Sequence, residues 1–174
     1  MNAAPDVLTD DVVTLRPAGE QDLDAIRAGI EDPDVVRWIG PPHGTAAETL
    51  ALDERRAAAG SPTFCVCERE DRCLGLAWLN RDDDDASSAS IGYFLLPVAR
   101  GRGLATRAVR LLAAWARGPG GVRHLRLVTA VDNAASRAVA ERSGFRESER
   151  RWRTDADGRT EEHVVHVPDH DPSA

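Results

Sequence analysis

The chain has no lysine: all 22 of its basic residues are arginine. That excludes a phosphate-binding loop of the nucleoside-triphosphatase type, which ends in Gly-Lys-Ser/Thr and sets its lysine on the terminal phosphates. Long apolar runs are missing as well. No stretch of the 174 residues approaches the ~18 uninterrupted apolar residues of a membrane span. Met1 to Asp10 lacks a basic segment followed by an apolar one, so no leader is read there. The expectation is a cytoplasmic protein without membrane association. Cysteine is scarce and odd in number, only Cys65, Cys67 and Cys73, which excludes a pure disulfide framework. These three are expected to act as small core hydrophobes rather than as metal ligands.

The most telling absence is local. Between Ala86 and Val131 there is no Asp or Glu, yet the same window holds seven arginines. An even scatter of the chain's acids would place about eight in it. The whole chain carries a formal charge of −7, so its positive potential is confined to one region. That suits a discrete anionic ligand and argues against nucleic acid. Near the centre of the window lies Arg100-Gly101-Arg102-Gly103-Leu104-Ala105, between a strand-like run closed by Pro97 and an amphipathic helix. A glycine turn that opens a helix presents outward N–H groups and the positive end of the helix dipole, which fits a phosphate.

Residues 11–167 read as one domain, between a flexible N-terminus (1–10) and a disordered tail (168–174). A short strand at 11–16 is followed by helical patterns at 20–30, from Pro33, and from Thr45 to about Ala59. Strand patterns at 63–69 and 73–80 flank the polar turn Glu70-Asp71-Arg72, and a third strand runs over 90–96. A helix is expected over 103–117, a strand over 123–131, a helix over 133–142, and a closing hairpin at 145–154 and 159–167 around 155–158. Strand 90–96, helix 103–117 and strand 123–131 form one parallel β-α-β crossover. The remaining hairpins make the sheet mixed and mostly antiparallel, so the class is α+β with flanking helices.

Two further readings of the glycine turn compete. A dinucleotide fingerprint needs Gly or Ala where Thr106 stands, and an acid about 20 residues on, where residues 120–123 hold none. A plain tight turn explains neither the arginines nor the missing acids. The pattern Arg-x-x-Gly-x-Ala (Arg100, Gly103, Ala105) in this setting resembles the GNAT superfamily of acetyl-CoA-dependent N-acetyltransferases. Asn133-Ala134-Ala135-Ser136, followed by Gly144-Phe145, resembles the Asn-x-x-Ser…Gly-Phe block of its ribosomal-protein N-terminal acetyltransferase branch. The element order fits from about Val12 to Val167.

The resemblance implies a single GNAT-like domain that transfers acetyl from acetyl-CoA to a primary amine, a protein N-terminus or a small molecule, through a tetrahedral intermediate. It implies that the diphosphate sits on the amides of residues 100–105, with Arg100, Arg102 or Arg107 adding charge. The third strand and the strand after the crossover would diverge, and the pantetheine arm would pair with Phe94 and Leu95. The Leu95 N–H would hold the oxyanion. Asn133 and Ser136 would also contact the cofactor, with Ser136 as general acid, because the family's usual Tyr is replaced by Ala140. Ser90 stands where the branch often has Glu, leaving Glu68, Glu141, His43 and His166 as candidate bases. Trp38, Trp78, Trp152 and His163 or His166 would line the acceptor site. Simpler roles stay open for some of these: Asn133 as a helix cap, Ser136 as a solvated residue, Asp82–Asp85 as a solvated loop rather than a lure for cationic amines. A non-catalytic CoA-binding sensor is the alternative function. Oligomeric state is left open, dimers being common in such families.

Overall fold

The computed structural model describes residues 7–42, 44–68, 71–154, 158 and 160–169. Its eight strands are β1 (Leu8–Thr9), β2 (Thr14–Pro17), β3 (Thr63–Cys67), β4 (Cys73–Arg81), β5 (Ser88–Leu95), β6 (His124–Ala130), β7 (Phe145–Thr154) and β8 (Thr160–Pro168). The helices are α1 (Leu23–Ile30), α2 (Pro33–Ile39), α3 (Ala46–Ala58), α4 (Leu104–Arg117) and α5 (Ala134–Arg142). The strands form one sheet in the order β1-β2-β3-β4-β5-β6-β8-β7. Every neighbouring pair is antiparallel except β5–β6, which are joined through α4 as a crossover requires.

Local chemistry sets the helix boundaries. Asp32 caps α2 by accepting from the Asp34 and Val35 amides at 3.0 and 3.1 Å, with Pro33 at the first helical position. Thr45 and Glu48 form a reciprocal capping box on α3. Two ends differ from the sequence reading. Leu8 and Thr9, inside the segment expected to be flexible, pair with Leu15 and Thr14. Pro168 continues β8 opposite Phe145, and the Asp169 amide donates to the Gly144 carbonyl. Residues 1–6 and 170–174, and most of the turn at 155–158, lie outside the described residues.

Strand alternation divides the core in two. On one face, Phe64, Val66, Ala77, Ile91 and Leu127 pack with Leu104, Ala108, Leu112 and Trp115 of α4. On the other, Cys65, Cys67, Cys73, Leu76 and Phe94 pack with Ile26, Val35 and Leu50 of the first three helices. The cysteines are thus core residues, and burial pushes the Cys67 thiol up to about 12. Both faces being covered, all five residues of β3 are buried.

A buried ion pair ties β2 to the first helical turn. Arg16 donates two hydrogen bonds to the Asp22 carboxylate, at 2.7 and 2.9 Å, and a third, at 2.6 Å, to Asp71. Asp22 is 3% exposed. Burial by itself raises its pKa, but Arg16 and the Gly19 amide outweigh that and hold the carboxylate ionised. Removing one partner of such a pair leaves the other charge uncompensated. Asp22→Asn is therefore expected to lower unfolding stability by about 3 kcal/mol, measured by urea titration. A change within about 0.5 kcal/mol contradicts this role.

Candidate active site

The hydrogen-bonded register between β5 and β6 runs from Ser88↔His124 to Ile91↔Leu127 and ends there. β5 continues to Leu95, while residues 127–130 of β6 pair with β8 on their other side. The two strands part, and a cavity of about 1250 Å³ opens at the gap. Its wall includes Phe94, Leu95, Arg100, Gly101, Gly103, Leu104, Ala105, Asn133 and Ser136. Of the cofactor contacts expected from sequence, Arg102 and Arg107 lie outside this wall.

Alternation decides which backbone groups enter the gap. The Leu96 amide donates to Leu74 and the Asp82 amide to Ser88. The bonded β4–β5 pairs are therefore those in step with them, Phe94 with Leu76 and Gly92 with Trp78. Phe94 thus spends its main-chain groups on β4, correcting the expectation that they are exposed. Tyr93 and Leu95 point theirs toward β6, where the strand has already turned away.

Gly103 closes the glycine turn and caps α4 in the left-handed conformation (φ +77°), as does Gly101 (φ +73°) within it. A β-carbon at either position would meet nothing within 4 Å. The first intrahelical hydrogen bond runs from the Arg107 amide to the Gly103 carbonyl, so the amides of residues 104–106 precede any helical acceptor. These residues fit a diphosphate: open space over two glycines beside unspent N–H groups.

The arginines are a different matter. Arg100 donates from Nε to the Leu95 carbonyl at 3.0 Å, and from its two terminal nitrogens to Asp32 and Asp34 at 2.7 Å each. It is a strut between the end of β5 and the cap of α2, not a loose cation. Its hydrogen bond is the foremost cause holding the Asp32 carboxyl below its usual range. Arg102 pairs with Glu68 at 2.5 Å and Arg107 with Asp10 at 2.7 Å. The acid-free window in the sequence is therefore no bare positive patch in the fold. The latter two pairs are half exposed and weakly held, and neither arginine lines the cavity.

Asn133 accepts from the Ser136 amide at 3.0 Å, capping α5. The Ser136 hydroxyl lies 3.0 Å from that of Tyr93, the chain's single tyrosine, and both line the cavity. Burial raises the Tyr93 pKa, so its phenol stays protonated, although the bond to Ser136 works in the opposite direction. Sequence reasoning missed this residue. Its position at the splayed end of β5 was the available signal.

The candidate bases separate cleanly. His166 is 0% exposed on the α4–α5 face, bonded through Nε2 to Thr129 Oγ1 at 3.0 Å. Glu68 is held by Arg102, and neither it nor Glu141 lines the cavity. His43 lies outside the described residues. His163, three residues from His166 and so on the opposite face of β8, does line it. Its Nδ1 is buried without a hydrogen-bond partner among the described residues. Burial, then the nearby Arg153, lowers its pKa, so the ring is neutral at pH 7. Trp78 and Trp38 are also in the wall. The Trp78 indole presses on Gly92, where a β-carbon would come within 2.3 Å of the ring. Trp152 reaches the rim but is 70% exposed. Asp82–Asp85 stay outside: Asp82 binds Arg126 through two hydrogen bonds and Asp85 caps Ser87 and Ser88.

Residues 13–146 match the family model of the acetyltransferase (GNAT) domain. The chain is a GNAT acetyltransferase. The fold is similar to that of an acetyltransferase from Agrobacterium tumefaciens, at 23% identity and a TM-score of 0.76 over 96% of each chain. It is similar to RimL, a ribosomal alpha-N-protein acetyltransferase, at 17% identity and 0.77 over 95% of this chain and 99% of that one. A microcin self-immunity acetyltransferase in complex with acetyl-CoA and AMP matches at 18% and 0.76, over 91% of this chain and 92% of that one. No curated protein matches the sequence. The enzyme takes acetyl-CoA as its acetyl donor. No helix among the described residues is long and apolar enough to cross a membrane.

Replacing Gly103 by Val sets a branched side chain in the open space and in a conformation costing a non-glycine residue about 1–2 kcal/mol. Calorimetry is expected to show acetyl-CoA binding weakened by about tenfold or more, on folded protein. An unchanged affinity would remove the glycine cradle from the binding site.

Proposed function

We propose that this GNAT acetyltransferase acetylates a primary amine by direct attack on the acetyl carbonyl, with its proton transfers handled by His163 at one side and Ser136 with Tyr93 at the other. The observation that carries the reading is the convergence of these groups on one cavity at the point where β5 loses its strand partner. The diphosphate rests on the amides of residues 101–106. The pantetheine arm adds to the free edge of β5, pairing with the main chain of Tyr93 and Leu95 as a strand would. The Leu95 N–H then faces the thioester carbonyl and stabilises the oxyanion, a contribution of ~3 kcal/mol for one well-placed donor.

An ammonium cannot attack, so a base must take its proton. His163 is neutral, and its ring is in the cavity wall. On the leaving side, the Tyr93 phenol donates to Ser136 Oγ, which turns the serine proton toward the departing thiolate. The C–S electrons leave with sulfur, which receives that proton. The phenol restores the serine and is itself reprotonated from solvent, while His163 releases to solvent what it takes from the amine nitrogen, so that the enzyme gains and loses no net proton. A primary amine as acceptor is supported by this pairing of a neutral base with a hydroxyl donor. Both oppose a sensor role, for which neither is needed.

With saturating acetyl-CoA, Tyr93→Phe and Ser136→Ala are each expected to lower the rate of thiol release by about tenfold. Together they should cost little more than either alone, since they act in one chain. Unaltered kcat in both variants excludes the relay. The acid limb of kcat/KM should fall below pH 6.5, because the lowered pKa of His163 keeps it neutral until the medium is more acidic than an ordinary imidazole requires. His163→Gln should lower kcat by about a hundredfold and abolish that limb. A limb that persists unchanged in this variant assigns the base elsewhere.

A further inference from the structure

The charge of the cavity wall is lopsided. Among the described residues lining it, Asp34 is the single acid, against Arg100, Arg126, Arg142, Arg151 and Arg153. Three of these are accounted for. Asp32 and Asp34 neutralise Arg100, and Asp82 neutralises Arg126. Arg142, at the end of α5, sits close enough to Tyr93 to affect its titration, on the side of the sheet where acetyl-CoA enters.

Arg151 and Arg153 remain, and they lie elsewhere. Arg151 is directly opposite His163 in the β7–β8 register, and Arg153 opposite Glu161. Residues opposite or two apart share a face, so both guanidiniums stand on the His163 face, beside the site of amine deprotonation. Besides burial, all three charges on this face, Arg153, Arg151 and Glu161, act on the His163 ring, the arginines lowering its pKa and the glutamate raising it. The carboxylate approaching Arg151, that of Glu149 at 3.9 Å, is a loose partner. Glu161, opposite Arg153, shares this face, but neither it nor Glu149 is in the cavity wall, so the charged side chains of β7 that line the cavity are guanidiniums. None of Asp82–Asp85, an acidic run that could draw a cationic amine, lines the cavity; Asp82 is bound to Arg126 and Asp85 to Ser87 and Ser88.

Building on the amine-acetylation reading above, we propose that the acceptor's amine is carried on an anionic molecule, whose carboxylate or phosphate is held by Arg151 and Arg153 while the amine faces His163. A planar guanidinium pairs with either anion through two parallel hydrogen bonds. Trp38 and Trp78 supply apolar walls for the uncharged part of the carrier. A polyamine or another polycation meets like charge at the same place and is rejected.

Matched acceptors test this by thiol release at saturating acetyl-CoA: glutamate against its α-amide, phosphoethanolamine against ethanolamine, an N-terminal peptide with Glu at its second position against one with Gln, and spermidine. The anionic member of at least one pair is expected to exceed its neutral partner in kcat/KM by about 10- to 100-fold, the range of a hydrogen bond to a charged group. The pair that responds tells carboxylate from phosphate. Arg151→Gln and Arg153→Gln should each remove most of that advantage, read as the ratio of the anionic to the neutral acceptor in the same variant, with the acetyl-CoA affinity unchanged. Equal or better turnover of the neutral amines or of spermidine overturns the proposal while sustaining amine acetylation. So does an anionic preference that survives both substitutions. No thiol release with any amine, on protein that binds acetyl-CoA, instead sinks the amine reading on which the proposal rests.

Discussion

A backbone polar group in a sheet must find a partner, and this fold denies one to two residues. β5 is paired with β4 along its whole length, but β6 leaves it after Ile91 to follow β8. The N–H and carbonyl of Tyr93 and the N–H of Leu95 are left at the edge of a cavity, while Arg100 takes the Leu95 carbonyl. An unpaired buried amide or carbonyl costs as much as a lost hydrogen bond, so that edge is a standing site for an extended, amide-bearing chain. The pantetheine arm of acetyl-CoA is such a chain. In the proposed mechanism, binding, oxyanion stabilisation and alignment of the thiol all trace to that divergence.

The surrounding structure keeps the gap open from both ends. Arg100 holds the Leu95 carbonyl and the cap of α2 at once, fixing the end of β5 relative to the helix that carries Trp38. Asn133 fixes the first turn of α5, and through it the hydroxyl that meets Tyr93. In the proposed mechanism the sheet separates two chemistries: the thiol leaves toward α4 and α5, while the amine arrives on the face of α1 to α3. His166 and His163 illustrate the division, one sealed in the core beside Thr129 and the other in the cavity wall.

Much of the fold was legible because its boundaries are written in local chemistry. Pro33, the Thr45–Glu48 box, Pro97, Gly103 and Gly144 each mark an end through a backbone requirement that neighbouring residues reveal. The parallel crossover followed from strand, helix, strand in order. The placement of β8 between β6 and β7 did not, since it depends on pairing between segments far apart in the chain. The site was half legible on the same grounds. The glycine turn and Asn133-x-x-Ser136 are short motifs with local geometry, whereas the partners of the arginines come from Asp10, Asp32, Asp34 and Glu68, remote in sequence. A window without acids says nothing about acids folded against it. The Tyr93–Ser136 contact spans 43 positions and left no local trace. The exchange of Phe94 for Tyr93 as a pairing residue is a matter of parity, fixed only once the β4–β5 register is known.

The central claim concerns two amides, and hydrogen exchange followed residue by residue addresses them directly. Saturating acetyl-CoA is predicted to slow exchange at Leu95 and Tyr93, which gain a partner, and to leave Phe94, already bonded to Leu76, as it was. Acetyl-CoA that binds while the Leu95 and Tyr93 amides exchange at their unliganded rates would contradict the account.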